Sequence, residues 1–209
     1  MNVFESEWES PEYETLAALA GELVFRLPGC TDVMIRKTIA SVYRDFCKRT
    51  CVLRTVQRIE LEHSTRHYPL GATLRDCVIE AVTAVEIEGR RLESTDYACP
   101  GFDCISVSPR FLPPEGENTL GMRVTCLEVP TIGSESAPKL FIQRYGDALV
   151  NGAYWQLASM TGRAWSDPVQ AVMASRAYEN ALTETRSRYY AGGSLSSGKL
   201  NFMKKGTIL

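Results

Sequence analysis

Residues 138–190 read PKLFIQRYGDALVNGAYWQLASMTGRAWSDPVQAVMASRAYENALTETRSRYY, and their periodicity sets the frame for everything else. In the first half Ile142, Tyr145, Leu149, Ala153, Leu157 and Met160 recur every three or four positions, the spacing of one helix face. Phe141, Ala148, Gly152 and Trp155 form an adjoining face, so this helix is expected to be buried on more than one side. Gly146 and Gly152 each cost such a helix roughly 1 kcal/mol relative to Ala, which makes sense where another backbone must come close. Gly162 is placed to end the helix. Ser166 reads as the cap of a second one, with Asp167 and Pro168 in its first turn. That helix puts Ala174, Tyr178, Ala181, Leu182 and Thr185 inward and Arg176, Glu179, Asn180 and Arg188 outward. Glu184 and Arg188 stand at the favourable i, i+4 spacing. The pattern predicts a helical hairpin with mostly small residues on one seam.

Working outward, Ser10-Pro11-Glu12 reads as cap, first helical position and acidic first turn. Tyr13, Leu16, Ala17, Ala20, Leu23, Val24 and Leu27 follow as an apolar stripe ended by Pro28-Gly29. Thr31 or Asp32 caps a further helix whose Ile35, Ile39, Val42 and Phe46 form a narrow, bundle-like seam. After Cys51 the period changes. Thr55–Glu62, Val78–Glu88, Cys104–Ser108 and Thr119–Val129 read as strands, and Glu88-Gly89 as a turn into Arg90–Glu93. SPRFLPPEGEN (108–118) is a turn-rich loop. The expectation is an α+β chain: an α-helical bundle of N-terminal helices (1–51) and C-terminal hairpin (131–190), with a small antiparallel β domain (52–130) inserted, and an extended tail (191–209). In the tail, Gly and Ser dominate the first half, which cannot bury enough to fold alone. The second half carries Leu200, Phe202, Met203, Ile208 and Leu209 with Lys199, Lys204 and Lys205 and no acid, the composition of an arm that orders on a partner.

Two segments carry a resemblance. GAYWQLASMTGRAWSDPVQAVMASRAYENALTETRSRY (152–189), and within it Trp-Ser-Asp-Pro at 165–168, resembles the C-terminal hairpin of phage head–tail adaptor (head-completion or connector) proteins, which gene transfer agents also carry. TDVMIRKTIASVYRDFCKRTCVLRT (31–55) is similar to the N-terminal helix of that family. The β-rich middle resembles it in outline only. The resemblance implies a virion structural protein in the head–tail neck, assembled in the host cytoplasm. It implies a homo-oligomeric ring, usually of roughly twelve copies, between the portal protein and the next neck or tail protein. Double-stranded DNA would pass through the channel during genome ejection without sequence-specific binding. Leu195, Lys199, Leu200, Phe202, Met203, Lys204, Lys205, Ile208 and Leu209 are the expected portal-binding residues, and Trp165, Tyr178, Arg176 and Arg186 the expected inter-subunit ones. The alternative is a non-viral αβ interaction module that recruits a partner through the same tail.

Composition agrees with a globular protein. The chain has 209 residues, 44% hydrophobic and 23% charged, and no apolar run approaches the roughly 20 residues needed to span a bilayer. The start, MNVFESEWESPEYE, has no basic or apolar signal region, so no signal peptide is expected. Seven cysteines without a CxxC pair read as free thiols in a reducing compartment. A net charge of -2 argues against tight phosphate binding but suits a wall past which DNA slides. Catalytic motifs are weak. Gly193-x4-Gly198-Lys199 lacks the Ser or Thr, the preceding strand and the following helix of a phosphate loop. His63 and His67 sit in β-patterned sequence, where two imidazoles do not share a helix face. Cys47 and Cys51 read as buried small residues, and Glu86 and Glu88 as a solvated strand face. No enzyme, cofactor or metal is expected. Trp155 reads as hairpin core; Trp165, at the loop tip, reads equally as core or as interface anchor.

Overall fold

The computed structural model describes residues 11–101, 103–116 and 119–191, and it opens with a strand where a helix is expected. Tyr13–Thr15 (β1) pairs antiparallel with Ser136–Pro138 (β9). A 3₁₀ turn at Leu16–Leu19 follows, capped by Thr15 Oγ1, which accepts from the Ala17 N–H at 3.2 Å. The helix proper, Ala20–Arg26 (α1), has only seven residues. Leu16, Ala20, Leu23 and Leu27 are buried as their spacing requires. What local pattern could not show is that residues 13–15 have a distant strand partner, and ladder hydrogen bonds outcompete a frayed first helical turn.

Three long helices make the first core. Asp32–Thr50 (α2) buries Ile35, Ile39, Val42 and Phe46, but also Tyr43 and Cys47, so its buried face is wider than a bundle seam. It stops at Cys51, which takes the left-handed conformation at φ +56°. Lys139–Ala158 (α3) and Pro168–Ala191 (α4) are the hairpin. The C-terminal end of α2 lies at the start of α3: the Phe46 ring is 6.0 Å from Phe141 and 5.2 Å from Tyr145. Its N-terminal end lies at the hairpin tip, where a Cβ on Gly29 would stand 3.9 Å from Trp165. So α2 runs antiparallel to α3 and alongside α4. The close approach expected at Gly152 is real, but side chains make it. A Cβ there would lie 2.6 Å from Val42 Cγ1 and 2.9 Å from Tyr178 Cδ2. Only hydrogen fits between α2 and α4 at that level. Asp167 caps α4, its Oδ1 accepting from Gln170 N at 3.0 Å, one residue later than the Ser166 expected.

The middle of the chain corrects the expected architecture. Arg54–Leu61 (β2), Cys77–Ile87 (β4), Arg90–Arg91 (β5) and Leu120–Pro130 (β8) form one antiparallel sheet in the order β2-β8-β4-β5. His67–Pro69 (β3), Tyr97–Gly101 (β6) and Cys104–Val107 (β7) form another, in the order β3-β7-β6. With the β1–β9 pair this makes three antiparallel sheets beside four α-helices among the described residues. The molecule is a strand-rich, mixed α+β fold, not an α-helical bundle carrying a small β insert. A second core lies between the two larger sheets, built from Leu61, Tyr68, Ile79, Val85, Ile105, Val107, Met122 and Val124.

The two parts are also joined more deeply than an insert would be. Val52, Leu53, Leu74 and Ala137 belong to the helical core. Glu128 on β8 is fully buried, and its carboxylate accepts from Thr55 Oγ1 at 2.5 Å, Thr73 N at 2.8 Å and Leu74 N at 2.9 Å. A buried charge is tolerable when so many donors replace water. Arg44 of α2 donates to the Pro130 carbonyl at the end of β8.

Candidate functional site

The residues expected to contact neighbouring subunits all fall on α4 or at its start, but the structure gives them different work. Tyr178 is 1% exposed. Its ring packs on Phe46 and Trp155, and its hydroxyl donates to Asp45 Oδ2 at 2.9 Å. Burial, with the Asp45 charge beside it, pushes the phenol's pKa well up. Arg186 lies on the surface, and its Nε donates to the Arg49 carbonyl at 2.7 Å, satisfying a C-terminal carbonyl of α2. Arg49 in turn meets Glu179 at 2.7 Å and Asp45 at 3.5 Å. This polar seam holds α4 against α2. Trp165 is half-buried at the hairpin tip, packed on the helical core with Arg163 above its ring at 5.8 Å. Its Nε1–H is buried with no acceptor among the described residues. Arg176 is exposed and has no ion-pair partner among them. The tail residues Leu195, Lys199, Leu200, Phe202, Met203, Lys204, Lys205, Ile208 and Leu209 lie outside the described residues.

Sequence reading missed what stands next to Arg176. Val169, Val172 and Met173 point to solvent, 71%, 52% and 62% exposed. They follow one another at i, i+3 and i+4, so they line one side of the first two turns of α4. Two periodic stripes are superposed here, and the Ala/Tyr seam facing α2 and α3 explained the helix without the second. Ile132 in the β8–β9 connection, Val78 on β4 and Leu140 on α3 are exposed as well.

The chain matches no protein-family model and no curated protein sequence. What the molecule does is therefore argued from the resemblance and from these surfaces.

Polar chemistry is sparse elsewhere. Strand register lines up Arg58, Arg123, Glu86 and Arg91 in one row across the four-stranded sheet. The Arg58 and Arg123 end borders an open cleft of about 420 Å³ that Glu60 and Glu88 also line. Glu88 is occupied, accepting from Gly121 N at 2.6 Å. His63 Nδ1 sits 2.9 Å from the Pro113 carbonyl, and His67 faces outward on β3. All seven cysteines are free. Burial pushes Cys47 well up, and Cys77 and Cys126, with Glu128 nearby, up to about 12. These thiols have moved away from the lowered range that a nucleophilic cysteine needs. No group of His, Cys, Asp or Glu suited to a metal occurs among the described residues, and no helix among them is long and apolar enough to cross a membrane.

Proposed function

We propose that this chain is a head–tail adaptor: a structural subunit that assembles as a ring against a portal and contacts the next neck or tail protein. The observation that carries the reading is the outer face of α4. The hairpin that bears the resemblance to adaptor proteins also presents Val169, Val172 and Met173 to water at its tip end. Adjacent aliphatic side chains left exposed on a well-packed helix favour a contact surface. The polar groups support work by assembly, because Glu128, Tyr178, Asp45 and Arg49 are engaged in holding the fold together.

In this reading the tail, residues 191–209, is the portal-binding segment. The channel passes DNA without reading it. Mixing the full chain with the portal protein and imaging the complex tests the proposal. The expected result is a second ring stacked on the portal, lost when Leu200–Leu209 are deleted while the remaining chain stays folded. A chain that never joins the portal, or a truncation that joins it normally, overturns the ring or the tail respectively.

A further inference from the structure

The first turns of α4 are apolar and basic along one side. Val169, Val172, Met173 and Arg176 follow one another at i, i+3, i+4 and i+7, so they form one continuous stripe, and all four are exposed. The positive end of the helix dipole lies at its start. Arg163, also exposed, precedes it in the loop and stands over its own Trp165 ring. The acids nearest in sequence are engaged within the fold: Asp167 caps the helix by accepting from Gln170 N, and Glu179 pairs with Arg49 at 2.7 Å. A partner that fits this stripe is therefore apolar and acidic. The chain carries such a segment outside the described residues. Residues 1–10 read MNVFESEWES, with Val3, Phe4 and Trp8, three glutamates and no basic side chain. Each aromatic has an acid beside it, Glu5 and Glu9. The other end of the chain is apolar too, but its Lys199, Lys204 and Lys205 would set like charge against Arg176.

Reach decides whose stripe this segment can cover. It leaves the described fold beside the first turn of α3, where Lys139 N donates to the Glu12 carbonyl at 2.7 Å. Gly152, which faces Tyr178, is 13 residues further along α3, and Met173 lies five residues beyond Tyr178 toward the hairpin tip. The stripe is therefore about 27 Å away along the helix axes. From Pro11, Trp8 extends at most about 11 Å and Phe4 about 25 Å, so neither aromatic reaches the stripe of its own copy. Around the segment's own root the charges are mixed, Arg75, Lys139 and Arg144 standing among Glu12, Glu14, Asp76 and Glu135. From this we infer that residues 3–9 of one copy seat on the α4 stripe of the next, their glutamates facing Arg163 and Arg176. Opposite charges across the contact select it, and like charges disfavour the basic end of the chain. The two surfaces differ, so the contact propagates head to tail and closes into a ring when the rotation allows. It is smaller than the roughly 20–30 residues a side of a stable interface, so free copies associate weakly. The inference rests on the ring-subunit reading and specifies its contact.

A photo-reactive benzoylphenylalanine at Val172 tests it in the full chain. Unlabelled and ¹⁵N-labelled copies are mixed at high concentration and irradiated, then cleaved after glutamate, and cross-linked peptides are mapped. The expected links join the two isotopes and run from α4 to residues 1–9. Arg176→Glu is expected to lower their yield about 2- to 5-fold, and Glu5→Arg with Glu9→Arg in the same chain to restore it. Links confined to one isotope, links to any other part of the second copy, no links at all, or an indifferent Arg176→Glu each overturn the inference. Retention on phosphatidylglycerol vesicles that Arg176→Glu abolishes would assign the stripe to a lipid surface and overturns it too. Imaging with the portal separates the two proposals. A stacked ring whose links land elsewhere leaves the adaptor and removes this contact, whereas the expected links without a ring on the portal keep the contact and remove the adaptor.

Discussion

Gly146 and Gly152 look alike in sequence and differ in what surrounds them. Both sit in α3, where replacing Gly by Ala should gain up to about 1 kcal/mol of helix propensity. At Gly146 the nearest obstacle is Leu19 Cδ2 at 3.2 Å, the end of a flexible, half-buried side chain. At Gly152 the obstacles are Val42 and Tyr178, 0% and 1% exposed, closer than carbon atoms tolerate. Gly146→Ala should leave stability unchanged or raise it by up to about 1 kcal/mol, whereas Gly152→Ala should lower it by about 1–3 kcal/mol through overpacking. Urea midpoints of the two variants give the comparison, and equal shifts would contradict the packing described. The thiols make a second residue-scale prediction. Cys77 and Cys126 are raised from about 9.0 to about 12, chiefly by burial. An acid whose folded pKa is raised favours the fold most while protonated. This contribution is complete below pH 9, the unfolded value, and disappears as pH rises through 12. Urea midpoints should fall between pH 9 and pH 11, and Cys77→Ala should flatten that fall.

At the scale of elements, periodicity located what is long and amphipathic and failed where pairing is decided at a distance. The hairpin, α2 and the strands β2, β4, β7 and β8 were legible to within a residue or two, because each carries its own pattern. β1 and β9, three residues each, exist through one another, and no local pattern announces a partner more than a hundred residues away. Pro69 in β3 and Pro100 in β6 remove ladder donors and weaken the strand signal. Of the α4 residues read as inter-subunit, Arg176 faces water and Tyr178 is buried, and the exposed Val169, Val172 and Met173 were not singled out. Glu128 was not singled out, although alternation puts it on the same face of β8 as Met122, Val124 and Cys126; it joins three segments by accepting from Thr55, Thr73 and Leu74. Glu128→Gln keeps the shape and exchanges one acceptor oxygen for an amide donor facing donors. The expected cost is about 1–3 kcal/mol for the buried group left without a partner. Amide exchange should speed up at Thr73 and Leu74 before the rest of the sheet, and unchanged exchange there would show that the carboxylate does not hold this loop.

At the scale of the whole molecule, the question is whether the β-rich middle stands alone. A segment from 52 to 130 contains the whole of the second core, so by hydrophobic content it qualifies as a domain. Its boundaries argue otherwise. Val52 and Leu53, both fully buried, and Leu74 pack with the helices rather than with the strands. Arg44 of α2 holds the Pro130 carbonyl, and Thr131 N donates to the Asp76 carbonyl at 2.7 Å where the chain turns toward β9. Cutting there exposes aliphatic side chains worth about 1.5–3 kcal/mol each when buried, a large fraction of the 5–15 kcal/mol that stabilises a typical domain. The isolated 52–130 segment should therefore fail to unfold cooperatively in urea, and the intact chain should show one transition monitored by tryptophan in the helical part and by β-sheet signal in the rest. Two separated transitions, or a stable isolated segment, would mean that the strands can move as a unit against the helices. Coupling between them matters for an adaptor. A single cooperative body transmits a contact made at α4 to the far edge of the sheets without a hinge to absorb it.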